Sequence, residues 1–445
     1  MTPTIDIIYL LVGCGVCGIS VTFAVSSIGE RKWRAAVISG AAAIVLGVVW
    51  SGAFFLYSPS GAGKVILMIG VAVLALAYYL PVGRRSSIRI DQAGERVDER
   101  DVIFAREDYP PGTVEHEQYY TMRPENLAID NHIRALPELL KPGGRYYDPV
   151  RSTRLEAVFD VIEGLSHRVD GETESSPVEP DPTQMTREIK RLAGRLGADA
   201  VGIARLNSRY VYSHVGRGPE PWGAPITNDH KYAVVFALEM NYRQVETAPR
   251  LPLTEESALQ YLRGSHISIS LAQYIRSLGY PARAHVAGSN YQIMLPPVAH
   301  DAGLGELGRS GYLISPVFGP RMRLGAVTTD LPLIADSPVS FGVQDFCEQC
   351  LKCATNCPSG AIPSKAKSWV RGVEKWPLNV ERCVRYWRLI GTDCGLCMKV
   401  CPFSHPPTFV HDLVRAGIRR SALARRISVI GDDILYGRKA DYPQA

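Results

Sequence analysis

Charge of one sign is scarce in this 445-residue chain: 49 Lys and Arg stand against 44 Asp and Glu, a formal net charge of +5. So small an excess calls for no nucleic-acid partner. Histidine is absent from residues 1–83, so the hydrophobic stretches there offer no imidazole to ligate haem. No basic segment precedes the first of those stretches and two more follow it, which argues against a cleavable signal peptide. Arg84-Arg85 lies behind a hydrophobic stretch instead of ahead of one, and so does not read as a twin-arginine export signal. Cysteine is missing between Cys17 and Cys347, which concentrates thiol chemistry in the C-terminal third.

What is present divides the chain. With 46% of its residues hydrophobic, it is long enough for two or three domains. Three mostly uncharged stretches, 5–28, 35–57 and 65–82, each approach the ~20 residues that a helix needs to cross a bilayer. Trp33, Trp50, Tyr57, Tyr78 and Tyr79 are available near their ends. These stretches predict three transmembrane helices in a lipid bilayer. Arg31, Lys32 and Arg34 in the first hinge and Arg84, Arg85 and Arg89 at the exit oppose only Lys64, which sets the orientation. The soluble part is therefore expected on the cytoplasmic face of the inner membrane, in a compartment that also keeps thiols reduced.

The remaining cysteines follow a two-cluster ferredoxin pattern: Cys347-x2-Cys350-x2-Cys353-x3-Cys357-Pro358, then Cys383, Cys394 and Cys397-x3-Cys401-Pro402. Three thiolates of one run and the last cysteine of the other complete each set. Cys347, Cys350, Cys353 and Cys401 are thus expected to hold one 4Fe-4S cluster, and Cys357, Cys383, Cys394 and Cys397 the second. Disulfides or tetrahedral zinc sites are rival uses of the same residues. The short spacings and the two Cys-Pro junctions, where proline turns the chain around a cluster, favour iron. The insertion between Cys383 and Cys394 leaves Cys383 the ligand least fixed by spacing.

Ahead of the clusters, 84–182 is charged and punctuated by proline, and closes in an acidic, apolar-poor run at 169–182 that reads as a flexible surface loop. Asp181-Pro182 then opens a helix with Met185, Ile189, Leu192 and Leu196 on one face and Gly197 at its close. Apolar strands are predicted at 200–206, 231–240 and 324–331, and a long amphipathic helix at 257–278. The expected organisation is an anchor at 1–83, a peripheral region at 84–182, an α/β catalytic domain at 183–340, a ferredoxin-type module at 341–405 and a basic helical segment at 406–445. That last segment either lies along an acidic membrane surface or packs over the cluster module with its arginines solvated.

Two Gly-x-Gly-x-x-Gly matches do not read as dinucleotide sites. The one at 13–18 falls inside the first membrane stretch, where Cys14 and Cys17 are expected to pack between helices. The one at 303–308 follows Pro296-Pro297, where a Rossmann fold needs a strand, and reads as a tight loop beside a large cofactor.

The segments Leu278-Gly279-Tyr280, Ala302-Gly303-Leu304-Gly305-Glu306-x-Gly308-Arg309, Gly319-Pro320-x-x-Arg323 and Thr329-Asp330-Leu331-Pro332-Leu333, followed by both cysteine runs, resemble the corrinoid-dependent reductive dehalogenases. The resemblance covers roughly residues 183–436. It implies an α/β, nitroreductase-like core that binds a base-off corrinoid (cobalamin type), a two-cluster ferredoxin module and, in this chain, three transmembrane helices ahead of both. The sequence contains no Asp-x-His-x-x-Gly motif to give cobalt a histidine. The resemblance also implies that Tyr261 donates a proton to the carbon losing halide, with Arg323 as its basic partner and Arg321 as the alternative. Asn290 then orients the substrate, and Gly288, Asn290, Gly303, Gly305 and Arg309 lie along the cofactor. A phenol is a poor acid at neutral pH, and a guanidinium within ~4 to 6 Å stabilises the phenolate that proton transfer leaves behind.

The implied partners are a halogenated small organic molecule, the bilayer, and an electron donor that is a reduced ferredoxin, a flavoprotein or quinol-linked. Respiratory members of the family carry a twin-arginine signal and use a separate anchor protein, a pattern from which this chain departs. An epoxyqueuosine reductase shares the cofactors but acts on tRNA with an aspartate as acid, against which the membrane stretches and Tyr261 speak. A membrane-bound iron–sulfur electron carrier is the third reading, and it leaves the α/β domain without a task.

Overall fold

The computed structural model describes residues 3–56, 61–83, 85–91, 94–286 and 291–442. Tyr57, Arg84, Gly288 and Asn290, singled out above, lie outside the described residues. The chain forms two compact units, one made of Met1–Ser86, Phe341–Cys350 and His405–Lys439, the other of Ser87–Ser340, Leu351–Ser404 and Ala440–Ala445.

In the first unit, Pro3–Gly29, Trp33–Leu56 and Ala62–Tyr79 are helices. Each is long and apolar enough to cross a membrane. They turn apolar side chains outward: Leu11, Val37, Phe55 and Leu74 are between 67% and 75% exposed. Polar contacts lie inside. Tyr9 stacks on Trp50 with ring centroids 4.5 Å apart, and each side chain donates to the other's backbone carbonyl, at 2.9 and 3.0 Å. Trp50 is therefore a buried helix-packing residue, which corrects its placement near an interface. A Cβ at Gly13 would meet the Trp50 indole at 2.2 Å, so this glycine permits the close approach. Cys14 is exposed, which corrects its expected packing role, because its direction on the helix points away from the neighbouring helices. Lys64 is buried and pairs with Asp6 at 2.6 Å, so the one cation between the second and third helices has its own counter-charge.

The basic C-terminal segment forms helices Phe409–Arg420 and Ala422–Tyr436, which pack with the apolar helices. Tyr78 Oη and Ser428 Oγ are 2.9 Å apart, and Tyr79 Oη donates to the Leu413 carbonyl at 3.2 Å. Arg425 is interior, donating to the Ile418 carbonyl at 3.0 Å and facing Asp345 at 3.5 Å. This departs from a helix with all its arginines solvated, since a buried guanidinium needs such partners.

The second unit is built on an antiparallel sheet of β1 (Ala200–Arg205), β2 (Tyr232–Glu239), β3 (Ala282–His285) and β4 (Met322–Thr329), ordered β1-β2-β4-β3. Leu238 faces Arg323 across β2 and β4, and His285 faces Ala326 across β3 and β4. The apolar run of β2 is buried on both faces, as an uninterrupted hydrophobic strand should be. Val234, Phe236 and Leu238 pack toward Ile267, Leu271 and Ile275 of the long helix Leu251–Ser277, while Ala233, Val235 and Ala237 face Val298 and Ala299 of the short helix Leu295–Asp301. The two sets alternate because successive strand side chains point to opposite faces.

The long helix starts at Leu251, six residues before the position expected from hydrophobic periodicity. Pro252 sits in its first turn, where a missing N–H costs nothing. Pro182–Arg195 is capped as anticipated, Asp181 accepting from the Gln184 N–H at 2.7 Å. The run at 169–182 is largely exposed and without regular structure after Val169, but it is not free. Glu174 and Val178 donate their N–H groups to the Arg276 and Leu278 carbonyls, both at 3.0 Å. Its neighbour Arg276 reaches back to the Val169 and Ala282 carbonyls at 3.3 and 2.9 Å. This correction follows from backbone pairing, which composition does not report.

Candidate active site

Arg323 lies on β4, buried on the face covered by the long helix. Its Nη2 donates to Ser257 Oγ at 2.6 Å and faces Asp393 Oδ2 at 3.4 Å. Tyr261 stands one helical turn beyond Ser257, on the same side of that helix, and the guanidinium carbon is 5.2 Å from the centre of its ring. Strand register and helix periodicity thus place the two groups together. Burial opposes the charge on Arg323, and the oxygens of Tyr261, Tyr312, Asp393 and Tyr291 outweigh it, holding the guanidinium protonated more firmly than usual. Its buried Nε has no hydrogen-bond partner among the described residues. Nor has the Tyr261 hydroxyl a protein hydrogen-bond partner among them.

Of the two candidate arginines it is Arg323 that lies against Tyr261. Arg321 is occupied elsewhere: Nη1 donates to the Met240 carbonyl at 2.7 Å and meets Glu239 at 3.0 Å, and Nε donates to the Ser404 carbonyl. Tyr291, Tyr312 and Asp393 complete the surroundings and were not reached by sequence reasoning. Burial, then Tyr261, raises the Tyr291 hydroxyl above its ordinary range. Burial, then Cys397, raises that of Tyr312. Both rings therefore stay neutral. Asp393 carried one available signal, its position directly before Cys394.

Cys357, Cys383, Cys394 and Cys397 are brought together in this unit. Burial, then Cys357, pushes the Cys383 thiol up to about 11. Burial, with Cys383 and Cys357 adding to it, takes Cys394 to about 12. Cys397 is pushed up by burial and by Cys394, Cys383 and Cys357. Three buried thiols that resist ionisation, gathered with Cys357, are what an iron cluster stabilises as thiolates, so this donor set fits a 4Fe-4S group. Cys383, loosely fixed by spacing, sits with the other three. Of the first expected set, Cys347 and Cys350 belong to helix Val343–Cys350 of the first unit, and Cys353 and Cys401 to the other.

Gly303, Gly305 and Arg309, expected along a cofactor, are engaged by the chain itself. A Cβ at Gly303, where φ is +77°, would meet the Ser337 carbonyl oxygen at 2.7 Å, and one at Gly305 the Ile314 carbonyl oxygen at 2.2 Å. Both positions therefore require glycine for tight folding of the loop. Arg309 is buried, donates to the Pro363 and Lys365 carbonyls at 2.8 and 2.9 Å, and lies 4.6 Å over the Trp376 ring.

A 4Fe-4S dicluster domain family matches residues 346–405. The chain is similar to a tetrachloroethene reductive dehalogenase of Sulfurospirillum multivorans, 32% identical over 298 residues that cover 59% of each chain. Among solved structures it resembles the catabolic reductive dehalogenase NpRdhA in complex with 3-bromo-4-hydroxybenzoic acid. That match has a TM-score of 0.67 at 28% identity and covers 82% of this chain and 50% of that one. It also resembles a reductive dehalogenase structure used to suggest a mechanism for B12-dependent dehalogenation, with a TM-score of 0.63 at 26% identity, covering 80% of this chain and 49% of that one. The chain thus spans about half to three-fifths of the length of these relatives. The α/β core with a dicluster ferredoxin domain is their fold.

Proposed function

We propose that this chain catalyses reductive dehalogenation of an organohalide, in which a carbon–halogen bond is broken by two electrons and one proton to give a carbon–hydrogen bond and free halide. The observation that carries the reading is the Tyr261–Arg323 pair, which meets Asp393, the residue directly before Cys394. A proton donor and an electron-carrying ligand set then converge on one place in the fold. Tyr261 supplies the proton to the carbon, and Arg323, held charged and in contact with its ring, stabilises the phenolate that remains. Ser257 and Asp393 fix the guanidinium so that it does not follow the proton. The neutral Tyr291 and Tyr312 wall the site and keep water from competing for the proton.

A corrinoid bound in the base-off state would supply a reducible cobalt to take up the halogen chemistry. The uncommitted Arg323 Nε and Tyr261 hydroxyl fit a site completed by another group, and the loop shaped by Gly303, Gly305 and Arg309, with Gly288, is assigned to cradle it. Asn290 is assigned to orient the substrate. Cys347, Cys350, Cys353 and Cys401 would hold the other 4Fe-4S cluster. The apolar helices would anchor the catalytic part on the cytoplasmic face of the inner membrane, where a reduced ferredoxin, a flavoprotein or a quinol-linked donor supplies electrons.

The test is metal analysis of protein made anaerobically with corrinoid supplied, followed by halide release from aryl and alkenyl halides with a reduced viologen. About one cobalt and about eight irons per chain, with halide released, are expected. Eight irons without cobalt would overturn the reading and leave an iron–sulfur electron carrier. Cobalt with iron but no halide release would point to the epoxyqueuosine type of chemistry.

A further inference from the structure

Two buried histidines in the first unit have no part in this chemistry. His405 and His411 lie with Glu30 in a cluster whose ligand atoms all fall within 4.8 Å of one another. Glu30 follows the first apolar helix, His405 follows the last cysteine of the ferredoxin pattern by four residues, and His411 is in the first turn of Phe409–Arg420. The two carboxylate oxygens of Glu30 face the two imidazoles separately: Oε2 is 2.7 Å from His405 Nδ1 and Oε1 is 3.4 Å from His411 Nδ1. Ligands at 2.0 to 2.1 Å from a tetrahedral ion are about 3.4 Å apart.

The outer ring nitrogens are also provided for. His405 Nε2 faces Asp432 Oδ1 at 3.7 Å, and His411 Nε2 is 3.1 Å from the Tyr436 hydroxyl. A polar group behind each imidazole orients the ring and turns its inner nitrogen toward Glu30, the arrangement found around metal-ligating histidines. Thr408 Oγ1, 2.9 Å from His411 Nδ1, competes for that imidazole, as does a hydrogen bond to the Pro406 backbone. Two carboxylates, the buried Glu30 and the half-buried Asp432, match the charge of a dication. Arg415 is a cation nearby, and it donates to the His405 carbonyl and pairs with Asp412.

We infer that Glu30, His405 and His411 form a zinc site that ties the hinge after the first apolar helix to the C-terminal helices. Two imidazoles and a carboxylate are the donor set that a borderline-soft ion such as zinc prefers, and they leave one tetrahedral position for water. The site has no sulfur donor, which separates it from the cluster cysteines.

The test uses the full chain in detergent with its iron–sulfur clusters intact, measuring zinc per chain by mass spectrometry and the zinc environment by X-ray absorption. About one zinc is expected, with nitrogen and oxygen at about 2.0 to 2.1 Å and imidazole scattering. Glu30→Gln and His411→Gln should each lower zinc at least tenfold after dialysis at fixed free zinc, while Asp412→Asn retains it. No bound zinc, a sulfur shell near 2.3 Å from misloaded cysteines, or zinc unchanged in both variants would overturn the assignment. Should a variant not fold, the absorption spectrum of the unaltered chain still decides.

Discussion

The two units bury opposite things. In the sheet unit, Val234, Phe236 and Leu238 have no exposed surface, and buried polar side chains such as Arg321 and Arg323 each have polar partners. In the helical unit the large apolar side chains face outward, and Glu30, Lys64, His405, His411 and Arg425 are inside. The same physical chemistry produces both. Where the surroundings are water, apolar burial drives folding and each interior polar group needs a special reason. Where the surroundings are hydrocarbon, apolar contact with them costs nothing, and hydrogen bonds such as those between Tyr9 and Trp50 hold helices together. A charged cluster inside the second kind of unit carries more information than an apolar one, since it cannot be a by-product of hydrophobic collapse.

The largest expected effect falls on the Tyr261–Arg323 pair of the sheet unit. Tyr261→Phe removes one hydroxyl and keeps the ring against Arg323. Halide release should fall by about 10² to 10⁴-fold, the usual worth of a positioned acid, with cobalt and iron content unchanged. Retained turnover would remove Tyr261 from the chemistry. Next in size is the core itself. Phe236→Ala deletes a ring packed between the long helix and Gly325, where a glycine Cβ would come within 2.4 Å of it. Denaturant midpoints should report a loss of about 3 to 5 kcal/mol. A loss under ~1 kcal/mol would mean that the sheet unit is not held by this core.

How much of this was legible in the sequence follows the reach of each interaction. The strands of β1, β2 and β4, the capped helix after Asp181 and the apolar helices were readable because their signals are local: runs of one polarity, a proline, a capping side chain. The cysteine pattern was readable because its ligands repeat at short spacings. Ser257, Asp393 and Tyr312 were not, since only strand register and loop packing bring them to Arg323, and each alone is an unremarked polar residue. The same holds for Glu30 and His405, 375 positions apart in the chain. Trp50 was misplaced for a related reason: composition marks aromatics near helix ends, but only a neighbouring helix decides that the ring turns inward.

A smaller effect separates the units by pH. His285 is fully buried in the sheet, and burial, then Arg283 and His230, holds its pKa well below the ordinary value. Burial also lowers His230. Above about pH 6.5 both are neutral whether the chain is folded or not, so they add no slope. Below it the unfolded chain takes up protons that the folded sheet refuses, and stability falls by about 1.4 kcal/mol per pH unit for each such group. His285→Gln should flatten the loss of stability between pH 6.5 and 5 by about one such increment. An unchanged slope would show that His285 is already protonated in the fold.

The smallest effect sharpens the comparison most. Leu74 is 73% exposed on the third apolar helix, so shortening it to alanine opens no cavity, and the lost carbon atoms had only the surroundings as neighbours. In lipid nanodiscs Leu74→Ala should change thermal stability by less than about 0.5 kcal/mol, as for a surface position. Leu74→Arg in the same place should cost about 2.5 to 3.5 kcal/mol if hydrocarbon is what the residue meets. Equal tolerance of both substitutions would mean water at that face and no membrane span. A large loss from the alanine change alone would mean that another protein covers the helix. Only the pattern of a harmless truncation beside a costly charge belongs to a lipid-facing helix, and the reverse pattern belongs to Phe236.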